Sequence, residues 1–520
     1  MGQTWSIRDQ LAVETPMSSS GNPHGTAAQA VRGARCAAAA ALLAGCAVGP
    51  NFKPPAPPEV AGVTAQPPPV TAATAGVPGG AAQRFVAGAD ISGQWWTLFH
   101  SKALNALIDE ALANSPDLKA AQAALRAAHE AVLAQRGAYF PSVTASASAS
   151  RQNQPLVLAP ALNSNTFLYS LFTSEVSVAY TPDVFGLNRR TVESLRAQAQ
   201  AVRYQELAAD TALTANVAVT AIQLAAADDQ VSTTRSLIAT QSRLLQILRY
   251  QRDRGYASGL DVAAQKSQLA QTQASLPPLV KQASQLADAL ADLVGRFPSQ
   301  APKARLSLAD LELPRDLPLS LPSALVEQRP DVLQAEANLH AASAEVGIAA
   351  ANRLPSLQLT ANSGATATAI GGLFAPGTGF WGLGAALTTP IFEGGALLHK
   401  ERAARAAYDE AAQQYRSTVL TAFRNVADSL AALEQDAQAL SAAAAAAEAA
   451  KTTLDGAERQ LKDGYVGYPA FLAAEQAYQQ TQISLVQAEA NRFADTAALF
   501  QALGGGWWRR GDLAGAGHHD

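Results

Sequence analysis

The chain repeats itself over about 210 residues, and this repeat limits the folds open to it more than any single motif does. Residues 116–148 and 330–362 align without a gap at an offset of 214. Further along, 255–276 and 464–485 align at an offset of 209, and both segments begin with Gly-Tyr. Such a period far exceeds the 20–50 residues of a solenoid repeat. The sequence therefore predicts one body built from two equivalent halves, although 520 residues would otherwise suggest three or four domains.

Each half has the same predicted order of elements: helix, strand, strand, very long helix, returning helix. The segment 187–254 contains neither glycine nor proline, and 396–455 matches it in the second half. At 1.5 Å per residue, each of these helices would be roughly 90–100 Å long. They are rich in alanine and glutamine, which favours close antiparallel packing along a wall over the narrow seam of a dimeric coiled coil. A Gly-Tyr pair follows each one and predicts a hairpin.

Between the helices the apolar periodicity changes from 3.6 to 2, which predicts strands at about 142–152, 172–182, 356–366 and 380–390. Outside the N-terminal region, no uninterrupted apolar run approaches the 18 residues of a membrane-spanning helix. Four strands cannot close a barrel, and lipid tolerates no open sheet edge. The strands therefore form either a soluble sheet or a barrel pooled from several chains. Small polar residues alternate with apolar ones, which fits a lipid-facing outside and a wet inside and favours a trimer with twelve strands.

Cysteine usage indicates a lipid anchor. Cys36 and Cys46 are the only cysteines, so a disulfide framework is excluded for the rest of the chain. Basic residues, an apolar run and small residues precede Cys46, which is the order of a secretory signal peptide. Leu43-Ala44-Gly45-Cys46 resembles a bacterial lipoprotein box, whose cysteine receives a lipid and becomes the new N-terminus. The alternative is an ordinary buried cysteine. Ala47 follows in place of the aspartate associated with inner-membrane retention, which favours the outer membrane.

These features divide the chain into five expected segments. A mis-annotated extension and a signal peptide occupy 1–45, with the true start at Met17 or Val31, and a lipidated, Pro-rich tether occupies 46–90. The first repeat is 91–310, the second is 311–507, and 508–520 is a disordered tail. Nine of the 28 prolines fall within 50–78, so the tether is expected to be extended, with order beginning near Trp95. Trp95 and Trp96 suit a membrane-interface belt or packing around the helices, and their position favours packing.

Charge and motif content argue against several classes of function. The net charge of −4 arises from 38 basic and 42 acidic residues, so no overall field attracts nucleic acid. The seven histidines are scattered and show no metal-ligand spacing. Gly504–Gly506 follows a helix, whereas a phosphate-binding loop opens one. We therefore expect no enzymatic activity, no metal site and no cofactor other than the lipid on Cys46.

Several motifs together resemble those of the TolC-like outer-membrane factors, in particular the NodT-type lipoproteins of RND efflux systems. They cover nearly all of the chain after residue 45 and lie at Cys46–Phe52, Trp95–Phe99, Asp183–Arg189, Leu276–Leu279, Leu321–Val332 and Ala502–Trp507. The resemblance implies an α+β membrane protein. Three chains would form a twelve-stranded outer-membrane β-barrel, continuous with a long periplasmic α-helical barrel. Short elements, at about 300–322 and the C-terminus, would surround the helices.

The same resemblance implies the function, the partners and the location. The chain would be the outer-membrane channel of a tripartite RND-type efflux pump and would export small toxic compounds through a trimeric tunnel. Its partners would be two further copies, a periplasmic adaptor (membrane fusion) protein, an inner-membrane RND pump and outer-membrane lipid, with no nucleic acid. It would be lipid-anchored in the outer membrane and extend into the periplasm.

The resemblance also suggests site residues at the two hairpins. Gly255, Tyr256, Gly464 and Tyr465 would dock the adaptor, although the glycines are equally explained as helix ends. Asp261 matches the acidic residue that lines the closed periplasmic gate in the family, where a carboxylate ring would favour cations. An alternative role for Asp261 is that of a first-turn helix acid. The second half has Ala470 at the matching position and an unusual Pro469, and Glu475 is the nearest carboxylate that could replace the missing acid.

The sequence leaves two rival functions open. A trimeric adhesin or structural coiled-coil lipoprotein would also contain long Ala-rich helices and a lipid anchor. It would not require strands between the helices or Gly-Tyr hairpins. An outer-membrane conduit of a type I secretion system is the closer alternative, and the lipoprotein box, Leu276–Leu279 and Gly504–Trp507 favour the efflux branch over it.

Overall fold

Two helices of 67 residues define the long axis of the protein. The computed structural model describes residues 47–60, 62–63, 70–155, 157, 167–301, 306–320 and 322–514. The predicted leader, Cys46 and residues 515–520 lie outside this part of the chain. Helices α3 (Leu187–Asp253) and α7 (Ala396–Lys462) each correspond to a length of about 100 Å. α7 continues past the predicted end at 455 because a single glycine, Gly456, costs a helix only about 1 kcal/mol.

Each long helix is followed by a returning helix of 35 residues, α4 (Gly259–Leu293) after α3 and α8 (Tyr468–Ala502) after α7. The shorter helices are α1 (Lys102–Asn114), α2 (Pro116–Arg136), α5 (Pro322–Gln328), α6 (Pro330–Ala351) and α9 (Gly511–Ala514). Ser115 separates α1 from α2 and caps α2, because its hydroxyl accepts a hydrogen bond from Leu118 N at 3.4 Å. α3 is the central helix and packs against α1, α2, α4, α6 and α8.

One end of the helical body carries an antiparallel sheet of four strands in the order β2-β3-β5-β6. Its strands are β2 (Ser142–Asn153), β3 (Leu168–Tyr180), β5 (Ser356–Ala367) and β6 (Gly379–Thr388). Each lies within four residues of its predicted position. β3 ends before the predicted residue 182 because Pro182 has no backbone N–H for the ladder. A separate parallel pair joins β1 (Arg84–Ala87) to β4 (Asp316–Leu319).

The two faces of this sheet differ in polarity. Val143 pairs with Val178, and Leu357 pairs with Leu387, so apolar side chains of all four strands share one face. The other face carries mainly Ser, Thr, Asn, Gln and Gly, with cross-strand pairs such as Thr144 and Ser177, whose hydroxyls are 2.8 Å apart. On the apolar face Trp381, Leu383 and Leu387 are between 71% and 77% exposed in the isolated chain. A sheet with one apolar and one wet face requires something apolar outside it.

The largest hydrophobic core lies partway along the helices, where α1, the short elements and residues 503–508 surround α3 and α8. Trp95 is fully buried there and stacks on Phe500, with ring centroids 5.2 Å apart. Trp96 is also buried, so both tryptophans pack around the helices, as their position favoured. This core takes Leu213–Ala226 of α3. Burial in this core explains why that stretch of α3 is apolar, without requiring a membrane.

One 18-residue window of α3 reaches a mean hydropathy of 1.2, enough by length and composition for a membrane span. However, 56% of that window is buried within the chain, and core helices of soluble proteins pass the same test. This is weak evidence for a helical span.

Residues 70–94 and 508–514 are more ordered than the sequence suggested. Order was expected to begin near Trp95, but residues 70–94 already contain β1 and pack against α8. The fully buried Arg492 donates hydrogen bonds to Thr71 Oγ1 and to Leu433 O, each at 2.6 Å. The prediction of a disordered tail at 508–520 is wrong for 508–514, because Arg510 pairs with Asp210 at 2.6 Å and Trp508 Nε1 donates to Asp90 at 3.0 Å. No local pattern indicates these long-range partners.

Candidate functional site

Two hairpins form the end of the molecule opposite the sheet, and the same backbone motif builds both. Gly255 has φ +81° and Gly464 has φ +78°, a conformation that side chains other than glycine rarely adopt. Tyr256 N donates to Gln251 O at 2.8 Å, and Tyr465 N donates to Gln460 O at 2.9 Å. Together with the bond from each glycine N–H, these contacts end α3 and α7 in Schellman motifs. The sequence located both turns because the backbone there requires glycine.

The tyrosines that follow these glycines project into solvent. Tyr256 is 84% exposed and Tyr465 is 82% exposed, and Leu260 in the first turn of α4 is also 82% exposed. In Schellman motifs the residue after the glycine frequently packs back on the helix. Neither tyrosine does so here, which leaves two aromatic rings and a leucine available at the tip.

Asp261 holds the start of α4 in a capping box. Ser258 Oγ accepts from Asp261 N at 3.1 Å, and Ser258 N donates to Asp261 Oδ2 at 3.0 Å. The side chain remains partly exposed at the tip. The helix-cap alternative raised from the sequence is therefore present, and it leaves the carboxylate near solvent.

The second hairpin lacks this cap and is fastened differently. Gly467 is the N-cap residue of α8 and has no side-chain cap, with Pro469 in the first turn. Tyr468 is 7% exposed and its hydroxyl donates to Gln265 Oε1 on α4 at 2.7 Å. Gln265 in turn donates to Gln241 O on α3 at 3.0 Å. Tyr468 thus connects the second hairpin to the first through buried polar atoms.

Glu475 does not lie where a ring of carboxylates open to the tunnel would need it. Its side chain is 2% exposed, and Oε2 has no hydrogen-bond partner among the described residues. Burial raises the pKa of Glu475 to about 6, and the Gln241 amide beside it opposes that shift. The expectation that Glu475 presents its carboxylate at the aperture is corrected accordingly, because the side chain is enclosed within one chain.

The two predicted gate acids nevertheless converge on one group. Burial, together with the charges of Glu475 and Asp261, raises the pKa of Tyr468. Around this polar group lies a small apolar cluster, the tip cluster, which is separate from the main core. Its members are Leu245, Leu248, Val262, Leu269, Tyr468, Phe471 and Leu472. The tip is therefore a packed unit with its own core and one buried acid.

At the other end, the junction between α3 and the sheet receives the beginning of the described chain. Asp183 accepts hydrogen bonds from Asn188 N at 2.9 Å and Arg189 N at 2.8 Å, so the Asp183–Arg189 motif caps α3. Val48 N donates to Phe185 O at 3.1 Å. Residue 47 therefore lies at the level where the sheet meets the helices.

A group of three side chains, the N-terminal socket, holds this segment. It consists of Arg190, Glu193 and His340. Arg190 is 4% exposed and donates to Val48 O at 3.1 Å and to Asn51 Oδ1 at 2.9 Å. His340 stacks on Phe52 with ring centroids 4.4 Å apart, and its Nε2 lies 3.0 Å from Glu193 Oε1.

Sequence reasoning missed the socket and Tyr468. A signal for Arg190 was present: Arg189 and Arg190 stand in the first turn of a helix, where the dipole disfavours cations, so one of them needed a partner. Tyr468 gave no comparable signal, because its partner is 203 residues away.

Candidate metal ligands do not cluster in the described part of the chain. Within the ranges that the structure describes, no group of three or more His, Cys, Asp or Glu side chains could hold a metal ion.

Comparison with known proteins agrees with this architecture. The model of the family described as outer membrane efflux protein matches residues 107–296 and 321–505. The chain is 30% identical over 483 residues to the toluene efflux pump outer membrane protein TtgC of Pseudomonas putida, covering 91% of this chain and 95% of that protein. It is 30% identical over 438 residues to the outer membrane protein OprJ of Pseudomonas aeruginosa, covering 82% and 89% respectively.

A solved structure of an outer-membrane channel has a similar fold. The structure of the outer-membrane channel OprN superposes with a TM-score of 0.77 at 26% sequence identity. The match covers 89% of this chain and 100% of that one. The chain belongs to the outer membrane efflux protein family.

Proposed function

We propose that this chain is the outer-membrane channel component of a tripartite RND-type efflux pump. Three copies would form a tunnel that exports small toxic compounds. The observation that carries the proposal is an antiparallel four-stranded sheet, apolar on one face and wet on the other, attached to helices about 100 Å long. A sheet of this kind fits a share of a membrane barrel, and helices of this length fit a conduit across the periplasm.

The two free edges of the sheet support closure by other copies of the chain. Within the described residues, β2 pairs only with β3, and β6 pairs only with β5. β2 leads away from the helices and β6 returns to them, so β6 of one copy can pair antiparallel with β2 of the next. Three copies contribute twelve strands, which removes every open edge and turns the apolar face toward lipid.

The N-terminal socket supports a lipid anchor on Cys46. The segment held by Arg190 includes Val48 and Asn51, and Val48 N bonds to Phe185 O at the junction between sheet and helices. A lipid on the preceding cysteine would then enter the leaflet beside the foot of the barrel. Two or more acyl chains would make the attachment stable.

The two hairpins are proposed to contact the periplasmic adaptor and, together, to close the resting tunnel. Tyr256, Tyr465 and Leu260 offer an exposed apolar surface to a partner. Asp261, which is partly exposed, remains the candidate acid for a threefold gate. Glu475 would act from within each chain, through Tyr468, because its carboxylate is enclosed.

Efflux from intact cells tests the function. Deleting the gene should increase the steady-state accumulation of a fluorescent amphiphilic dye and the susceptibility to aromatic solvents and amphiphilic antibiotics. Plasmid-borne wild-type protein should reverse both effects. Cys46→Ser should restore them only partly, with less protein in the outer-membrane fraction.

The controls for this experiment are a variant of the other cysteine and a check that the protein is present in the outer membrane. Cys36→Ser, which alters the other cysteine, should behave as wild type. Unchanged dye accumulation after deletion, in cells where the protein had been present in the outer membrane, would contradict the proposal. A defect confined to a secreted polypeptide would favour a type I secretion conduit instead.

A further inference from the structure

The wet face of the sheet carries a single charged side chain. Across β2, β3, β5 and β6 the only charged residues are Arg151 and Glu175. The register puts Arg151 on the apolar face, near the loop end of β2, where it pairs with Ser170. Glu175 pairs with Ser146 and with Gly364, so its side chain belongs to the wet face, near the middle of β3.

The neighbours of Glu175 fix the position of its carboxylate. Asn362 Nδ2 donates to Glu175 Oε1 at 3.2 Å. Gly364 leaves a gap beside it, and the Phe380 ring covers this gap: a Cβ on Gly364 would lie 2.9 Å from Phe380 Cζ. The row Ser146, Glu175, Gly364 and Phe380 thus places one anionic group among hydroxyls, a bare backbone and an aromatic ring.

Closure of the barrel would convert this one carboxylate into three at the same height. Twelve strands spaced about 4.8 Å apart and tilted by about 40° give a barrel radius of roughly 12 Å. A glutamate side chain extends inward from that wall, so its charge would lie roughly 8 Å from the axis, within one Debye length at 0.1 M salt. No cation on the wet face of these strands offsets it.

We propose that Glu175 determines the charge selectivity of the membrane-spanning section of the tunnel, where a ring of three such carboxylates favours cationic over anionic solutes. The inference rests on the proposed trimeric channel. It gives the barrel a selectivity element of its own, separate from the periplasmic tip.

Ion permeability in planar bilayers tests the inference. Purified protein is inserted under a tenfold KCl gradient, and the reversal potential gives the ratio of K⁺ to Cl⁻ permeability. The wild-type channel should prefer K⁺. Glu175→Gln should lower the ratio by about threefold at 0.1 M salt, as expected for three screened charges at this distance. Glu175→Lys should turn the preference toward Cl⁻.

Matched variants separate the effect of the Glu175 charge on permeability from the effects of other charged residues. Arg151→Gln changes one charge on the opposite face of the same sheet and should leave the ratio unchanged. The Glu175 series is repeated in Asp261→Asn protein, where a tip carboxylate no longer contributes. A second variant, Asn362→Asp, covers the case in which Glu175→Gln forms no channels. It adds a carboxylate beside Glu175 and should raise the ratio of K⁺ to Cl⁻ permeability.

The outcomes distinguish this inference from the proposed function. Wild-type protein that forms no channels would contradict the proposed function itself. Channels whose permeability ratio is the same in wild type, Glu175→Gln and Asn362→Asp would overturn the inference about Glu175 and leave the channel function intact.

Discussion

At the scale of single residues, several carboxyl groups inside the helical body have raised pKa values, and the shift is largest for three of them. Burial raises the pKa of Glu475 to about 6. Burial and the charge of Asp229 raise the pKa of Glu489 to about 7. Burial and the neighbouring Asp495 raise the pKa of Asp436 well above its ordinary value, against the opposing charge of Arg492. All three are therefore costly to ionise at neutral pH.

Thermal stability should depend on Glu475 in a defined pH window. In the folded chain this carboxyl holds its proton up to about pH 6, whereas an ordinary glutamate releases it near 4.5. Between these values the folded state binds more protons, so stability falls as the pH rises through the window. Glu475→Gln should raise the free energy of unfolding at pH 8 by on the order of 1 kcal/mol and flatten the change between pH 5 and 7.

Differential scanning measurements of the purified protein from pH 5 to 8 check this prediction. Glu448→Gln, which alters an exposed glutamate on α7, is the matched control and should follow the wild-type curve. A Glu475→Gln protein whose midpoint changes with pH as steeply as the wild type would mean that this carboxyl is already ionised when folded.

The same residues illustrate what a sequence can and cannot reveal. Gly255 and Gly464 were predictable because a left-handed residue at a helix end nearly always requires glycine. The burial of Glu475 was not predictable. The apolar and small side chains of α8 lie on most faces of the helix, so its sequence indicates no single buried face. A residue-level role that depends on packing between distant helices leaves no local pattern.

At the scale of elements, the two returning helices have equal lengths but begin differently. α4 starts with the capping box of Ser258 and Asp261, which satisfies its own first amides. α8 starts at Gly467 without a side-chain cap and is held instead by the bond from Tyr468 to Gln265. The second hairpin therefore depends on the first for its position. In the proposed gate, α8 would therefore be the element released first.

Removing the Tyr468 hydroxyl should favour an open tip. Tyr468→Phe keeps the ring in the tip cluster but deletes one buried hydrogen bond, whose net value is about 1 kcal/mol, or roughly a fivefold change in the closed-to-open ratio. Resting conductance in planar bilayers should increase by a comparable factor.

Tyr478→Phe on the same helix serves as the control and should conduct as the wild type does. If Tyr468→Phe showed the resting conductance of the wild type while remaining trimeric, the bond to Gln265 would not be part of the closure.

At the scale of the whole molecule, the sheet and the helices make opposite demands on their surroundings. The apolar face of the sheet requires apolar surroundings, whereas the polar surface of the helical body suits water. The sequence predicted this division because a period of 2 and a period of 3.6 alternate twice along the chain. It could not predict the packing of residues 47–52 and 70–94 along the helices, because proline-rich segments carry no periodic pattern.

Closure of three sheets into one barrel is the central claim, and cysteine cross-linking between the free edges tests it most directly. Cysteines are placed on the wet face of β2, at Ser146 or Ser148, and of β6, at Gly384 or Ala386, in pairs that sample several registers. After oxidation in membranes, at least one pair should yield covalently linked species of two and three chains and nothing larger. Variants with a cysteine on one edge only should show no covalent linkage between chains. Monomers alone in every register, or a ladder extending beyond three chains, would contradict the trimeric channel.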